Sequence, residues 1–164
     1  MMLKEIKSSD LETIAKWRNN PDILLNLFSY LPISIDRQLQ WFSDYLKDST
    51  QLIFRIENSV LELIGTIGLL DIDYKNQKAE LTIIIGNEKY HGKGYGFKYL
   101  TELLNFAFDE MNLHKIKASV FSDNIPAIEL YKKCGFIYEG TFQKEIFKNG
   151  TFKNVETYSK FRDY

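Results

Sequence analysis

The stretch AELTIIIGNEKYHGKGYGFKYLTE, residues 79–102, decides the fold. Leu81, Ile83, Ile84 and Ile85 follow one another almost without interruption, the composition of a central strand buried on both faces. From Phe97 onward Leu100, Leu103, Leu104, Ala107 and Phe108 recur at helical spacing. Between strand and helix stands His91-Gly92-Lys93-Gly94-Tyr95-Gly96, so the glycines fall at a helix N-terminus. The unpaired N–H groups and partial positive charge of such a terminus attract anions, and glycines let a phosphate approach the backbone closely. The pattern predicts a pyrophosphate there.

The spacing separates this turn from better-known phosphate loops. A P-loop requires G-x-x-x-x-G-K-[ST], but the Gly92-Lys93 pair is followed by Gly94. A dinucleotide fingerprint requires G-x-G-x-x-G, and Phe97 stands where its third glycine belongs. Walker-type and NAD-binding chemistry are therefore set aside.

At 164 residues the chain fits one domain, residues 1–164. Lys plus Arg number 21 and Asp plus Glu 22, which offers no basic field for nucleic acid. Cys134 is the sole cysteine, so no internal disulfide and no thiolate metal cluster is expected, in keeping with a reducing cytoplasm. The opening MMLKEIKSSD has no apolar core, and no apolar run reaches membrane-spanning length, so neither a secretion signal nor a membrane partner is expected.

Outward from the central stretch, residues 3–6 read as a first strand, and Ser9-x-x-Glu12 has capping-box spacing for a helix over about residues 10–19. Pro21 ends that helix. Leu24, Leu25, Leu27, Phe28, Tyr30 and Leu31 are unusually apolar for a connection and read as core, with the wall of an acceptor pocket or a homodimer contact as other uses. Ser34 caps a second helix carrying Ile35, Leu39, Phe42 and Leu46. Residues 51–57 and 60–71 read as antiparallel strands, and a turn at 74–77 leads into the central strand. After the glycine turn and its helix, Ile116, Ala118 and Val120 mark a strand parallel to its predecessor. Asn124 caps a short helix that Gly135 ends, and Asn149-Gly150 signals a closing hairpin.

Two runs carry a family resemblance. One is His91 to Gly96, matching [RQ]-x-x-G-x-[GA] between a strand and a helix; the other is Asn124-Ile125-Pro126-Ala127-Ile128-Glu129-Leu130-Tyr131-Lys132-Lys133-Cys134-Gly135-Phe136. Together they resemble the GNAT superfamily of acyl-CoA-dependent N-acetyltransferases, over essentially the whole chain. The resemblance implies an α/β fold of the α+β type. Its sheet would be mixed and mostly antiparallel, with about seven strands, about four flanking helices and splayed central strands.

The resemblance further implies acetyl-CoA as cosubstrate, with no metal. His91, Gly92, Lys93, Gly94, Tyr95 and Gly96 would hold its pyrophosphate, although His91 stands where the family carries Arg or Gln, so that side chain's contact stays open. Ile84, Ile85 and Gly86 would pair with pantetheine like an added strand, with an N–H for the thioester carbonyl, and Asn124 would contact the pantetheine end. Tyr131 is implied as general acid towards the leaving thiolate. Glu80, an ionisable residue on an apolar strand, is the candidate general base. The reaction expected is direct attack by a primary amine. The resemblance extends to the branch of ribosomal-protein alanine, spermidine and amino-sugar acetyltransferases, so the acceptor it implies is a polyamine such as spermidine, an amino sugar, or a protein N-terminus; a non-catalytic acyl-CoA-binding module is the alternative from another class.

Overall fold

The computed structural model of the chain describes residues 3–163. Met1, Met2 and Tyr164, part of the expected domain 1–164, lie outside the described residues. Along the chain run α1 (Leu11–Asn19), α2 (Pro21–Leu24), α3 (Ile35–Tyr45), β1 (Leu52–Glu57), β2 (Leu63–Asp73), β3 (Lys78–Ile85), α4 (Tyr95–Asn105), β4 (Lys115–Phe121), α5 (Ile125–Lys133), β5 (Ile137–Lys148) and β6 (Thr151–Phe161). The six strands form one sheet in the order β1-β2-β3-β4-β6-β5, with β3 and β4 its parallel pair.

The mixed, mostly antiparallel sheet agrees with the expected class, and several details differ. Among the described residues the sheet has six strands, not seven, because residues 3–6 pair with β1 as a single isolated bridge, Glu5 with Phe54, before a short 3-10 turn diverts the chain. Pro21–Leu24 adds a one-turn helix, giving five. The Ser9/Glu12 capping box does not form: Asp10 Oδ2 accepts the Lys7 N–H at 3.0 Å, and Glu12 pairs with Lys16. Ser34 does cap α3, its Oγ accepting the Arg37 N–H. Asn149 and Gly150, at φ +49° and +80°, supply the left-handed pair that a tight hairpin needs.

Two cores flank the sheet. On one face Leu100, Leu103 and Ala107 pack with Ile67, Leu69, Ile116 and Ala118, all fully buried. On the other, Ile14 and Tyr45 bring α1 and α3 onto Ile6 and Ile53. The Tyr45 hydroxyl donates to Glu5 at 2.6 Å and accepts the Ile53 N–H, which fastens α3 to β1. The apolar segment after α2 is not core as expected: Leu25, Phe28, Tyr30 and Leu31 are exposed. Its backbone is tied instead to the terminal hairpin, because the Lys148 ammonium donates to Leu27 O at 2.9 Å and Ser29 O at 2.6 Å.

Candidate active site

The site begins where β3 and β4 part. They share only the pairs Lys78 with Lys115, Ala79 with Ile116 and Glu80 with Lys117, and then diverge. That divergence leaves Thr82, Ile83, Ile84 and Ile85 half-exposed, so the central strand is not buried on both faces along its length. The Gly86 N–H bonds Ile64 O, while Gln77 O receives the N–H groups of His114 and Lys115. Even-numbered β3 residues therefore bond towards β2 and odd-numbered ones towards β4. Past Glu80 the backbones of Ile83 and Ile85 face the gap, whereas Ile84 faces Thr66 and the Gly86 N–H is already engaged. On the opposite bank Ser122 N–H bonds Asn154 O, which by the same alternation turns the Ser119 and Phe121 backbones to the gap. An extended arm entering here would meet strand-like donors and acceptors.

The glycine turn stands at the open end of this gap. Gly92 and Gly94 have φ of +68° and +84°, and nothing crowds either Cα, so conformation rather than space calls for glycine. Gly94 is the N-cap of α4 with no side chain capping it, and residues 91–94 are exposed, which leaves the terminus open to an anion. Gly96 answers to packing: a Cβ there would come 3.2 Å from Leu130 Cδ2 on α5. His91 has a role that the sequence did not reveal. Its Nε2 donates to Ile85 O at 2.8 Å, tying the turn to the end of β3. Tyr95 packs edge-on against Tyr90, whose hydroxyl accepts from Asn58 Nδ2 at 2.8 Å, and the Lys93 ammonium lies 5.5 Å from the Tyr90 ring centre.

Tyr131 and Glu80 lie on opposite faces of the sheet at the apex of the gap, within electrostatic reach of each other. Tyr131 is buried with Phe136 and Tyr158 on the α4 side. Glu80 alternates with the core residues Ala79 and Leu81 and so points to the α1/α3 side. Burial raises the Tyr131 phenol well above the ordinary tyrosine range, and the negative charge of Glu80 raises it further. Glu80 Oε2 in turn holds Lys117 Nζ at 2.9 Å. Asn124 Oδ1 accepts the Ala127 N–H at 3.4 Å, placing its amide at the start of the helix that carries Tyr131. Cys134 sits half-buried at the end of that helix, where burial pushes its thiol up.

Around this centre the structure adds residues that read in sequence as ordinary packing. Phe28 stacks edge-on against Phe121 at 5.0 Å, so the loop after α2 reaches the end of β4. Trp17 lies against Gly86, and with Lys16, Asn20, Asn87, Glu88 and Lys89 it lines an open cleft of 470 Å³. A Cβ at Gly86 would overlap the indole, so Gly86→Ala is expected to destabilise the fold by about 1–3 kcal/mol, read from the urea midpoint. Three surface aspartates are engaged locally: Asp48 accepts from Thr50 and Gln51, Asp73 from Asn76, and Asp44 from Gln40.

Residues 1–137 match the family model described as acetyltransferase (GNAT) domain. The chain is 32% identical over 156 residues to the spermidine N(1)-acetyltransferase of Vibrio cholerae serotype O1, covering 95% of this chain and 90% of the relative. It is 31% identical over 137 residues to the acetyltransferase PseH of Campylobacter jejuni, with 82% of each chain covered. The crystal structure of the Vibrio cholerae spermidine N-acetyltransferase in complex with CoA and spermine superposes with a TM-score of 0.93 at 31% identity, covering 98% of this chain and 94% of that one. A parted parallel pair, a glycine turn capping α4 and the matched residues have one explanation: the chain belongs to the GNAT family of acetyl-CoA-dependent N-acetyltransferases.

Proposed function

We propose that the chain transfers the acetyl group of acetyl-CoA to a primary amine of a small polyamine by direct attack in a ternary complex. The observation that carries this reading is that Glu80, in the last cross-strand pair before β3 and β4 part, acts through its charge on the buried Tyr131 phenol. Glu80 takes a proton from the acceptor ammonium, and the freed nitrogen attacks the thioester carbon. As the C–S bond breaks, negative charge gathers on sulfur, and the Tyr131 hydroxyl donates to it. A phenol held protonated so firmly releases its proton only as that charge appears, and the second proton leaving the nitrogen restores it. His91, Gly92, Lys93, Gly94, Tyr95 and Gly96 cradle the pyrophosphate, Ile85 and Ile83 pair with the pantetheine arm, and Asn124 borders its end. The high thiol of Cys134 argues against an acetyl-cysteine intermediate.

The polyamine reading draws on the substrates named for the relatives. A second reading, an amino sugar, draws on the cleft beside Trp17, where an indole and the amides of Asn20 and Asn87 suit a sugar ring. Six strands in one sheet support a single catalytic domain, the lone Cys134 supports a cytoplasmic setting, and the exposed Tyr30, Leu31, Phe147 and Phe152 support self-association. The test is release of CoA thiol from acetyl-CoA with spermidine, a nucleotide-linked amino sugar and an N-terminal alanine peptide. Turnover on spermidine is expected. Turnover on the peptide alone would overturn the acceptor reading, and thermal stabilisation by CoA without turnover on any amine would favour a binding module.

A further inference from the structure

Lys117 presents a primary ammonium at the position an acceptor amine has to reach. Its Nζ lies 2.9 Å from Glu80 Oε2, in the last cross-strand pair before β3 and β4 part. The Glu80 side chain is 20% exposed and that of Lys117 46%, so the lysine is half in solvent and has room to move while the carboxylate stays set in the sheet. On the same strand Lys115 is held elsewhere, paired with Glu139 across the sheet on β5, whose charge Lys117 also feels. Lys117 thus makes with Glu80 the contact that the reaction requires of a substrate.

We infer that Lys117 is an internal acetyl acceptor, modified in cis from acetyl-CoA when no external amine fills the gap. This rests on the reading of Glu80 as base and Tyr131 as acid. The step balances as the intermolecular reaction does. Glu80 accepts one proton from Nζ, the nitrogen lone pair forms the N–C bond, the C–S bond breaks, and the sulfur leaves as CoA thiol with the Tyr131 proton. The second Nζ proton returns to the phenol, and Glu80 passes its own to solvent. The product, Nζ-acetyl-lysine, is neutral, so the modification removes the positive charge facing Glu80 and leaves that carboxylate unpaired by Lys117 for a cationic acceptor.

The test incubates the intact chain with acetyl-CoA and no amine, followed by peptide mapping over time. Lys4, exposed and ion-paired with Glu57 on the far edge strand β1, serves as the internal measure of uncatalysed acetylation. Acetyl is expected on Lys117 well ahead of Lys4. Tyr131→Phe should slow it at Lys117 by at least about a hundredfold and leave Lys4 unchanged. Excess spermidine should suppress modification of Lys117 only, and stabilisation of the variant by CoA checks that it is folded. Acetylation of Lys117 no faster than of Lys4, or equally fast in Tyr131→Phe, overturns the inference. If spermidine is turned over while Lys117 stays unmodified, the internal acceptor falls and the catalytic reading stands. If neither amine is acetylated although CoA stabilises the chain, both fall together.

Discussion

Tyr131→Phe is expected to lower kcat by about 10²–10⁴-fold while stabilisation by CoA is retained. The change removes one oxygen from a buried ring and keeps the ring's contacts with Phe136 and Tyr158, so the fold has little reason to respond. What is lost is the donor to the departing sulfur. The pH dependence carries a further signature. Burial, reinforced by the charge of Glu80, raises the phenol, so the protonated form persists above the ordinary tyrosine value of about 10. Wild-type turnover should therefore not decline through that range, and a stopped assay from neutral to strongly alkaline pH reads it directly. A variant within a few-fold of wild type would remove Tyr131 from the chemistry.

Glu80→Gln is expected to cost about 10²-fold in kcat/KM at neutral pH, with the deficit narrowing as pH rises. A carboxylate base is needed because an alkylammonium near pH 7 is almost wholly protonated; as the solution supplies more free amine, the base matters less. The variant's rate should thus climb with pH more steeply than that of wild type. Its stability should change little, because the Glu80–Lys117 pair is partly solvated and exposed pairs contribute only about 0–1 kcal/mol. A deficit that stays constant across pH would mean that Glu80 positions the acceptor and takes no proton from it.

Much of this architecture was legible in the residues, for identifiable reasons. The run at Ile83, Ile84 and Ile85, the glycines after it and Asn149-Gly150 each impose a local geometry that neighbours rarely override. The splay was expected only through family resemblance, because nothing in the composition of β3 or β4 says where two paired strands stop pairing. The same limit hid Lys117, which alternates with Ile116 and Ala118 as a solvated strand lysine would, and whose partner is set by cross-strand register. His91 was hidden differently: its bond to Ile85 O spans a turn whose path depends on the positive φ of Gly92 and Gly94. Residues 3–6 had strand composition, yet a strand also needs a neighbour along its length, and the early turn at Ser8–Asp10 denied it one.

The bonds from Lys148 to the carbonyls of Leu27 and Ser29 also bear on the order in which the molecule is made. They join residues 121 and 119 positions apart, so the loop after α2 leaves the ribosome long before its fastening exists. β4 can meet β3, and the turn can cap α4, while the C-terminal hairpin is still being synthesised. Contacts of such separation form late because closing the intervening chain costs entropy first. The cofactor side of the gap is thus the earlier product of translation, and a nascent chain truncated before Lys148 would carry that half with its Phe28 wall unanchored.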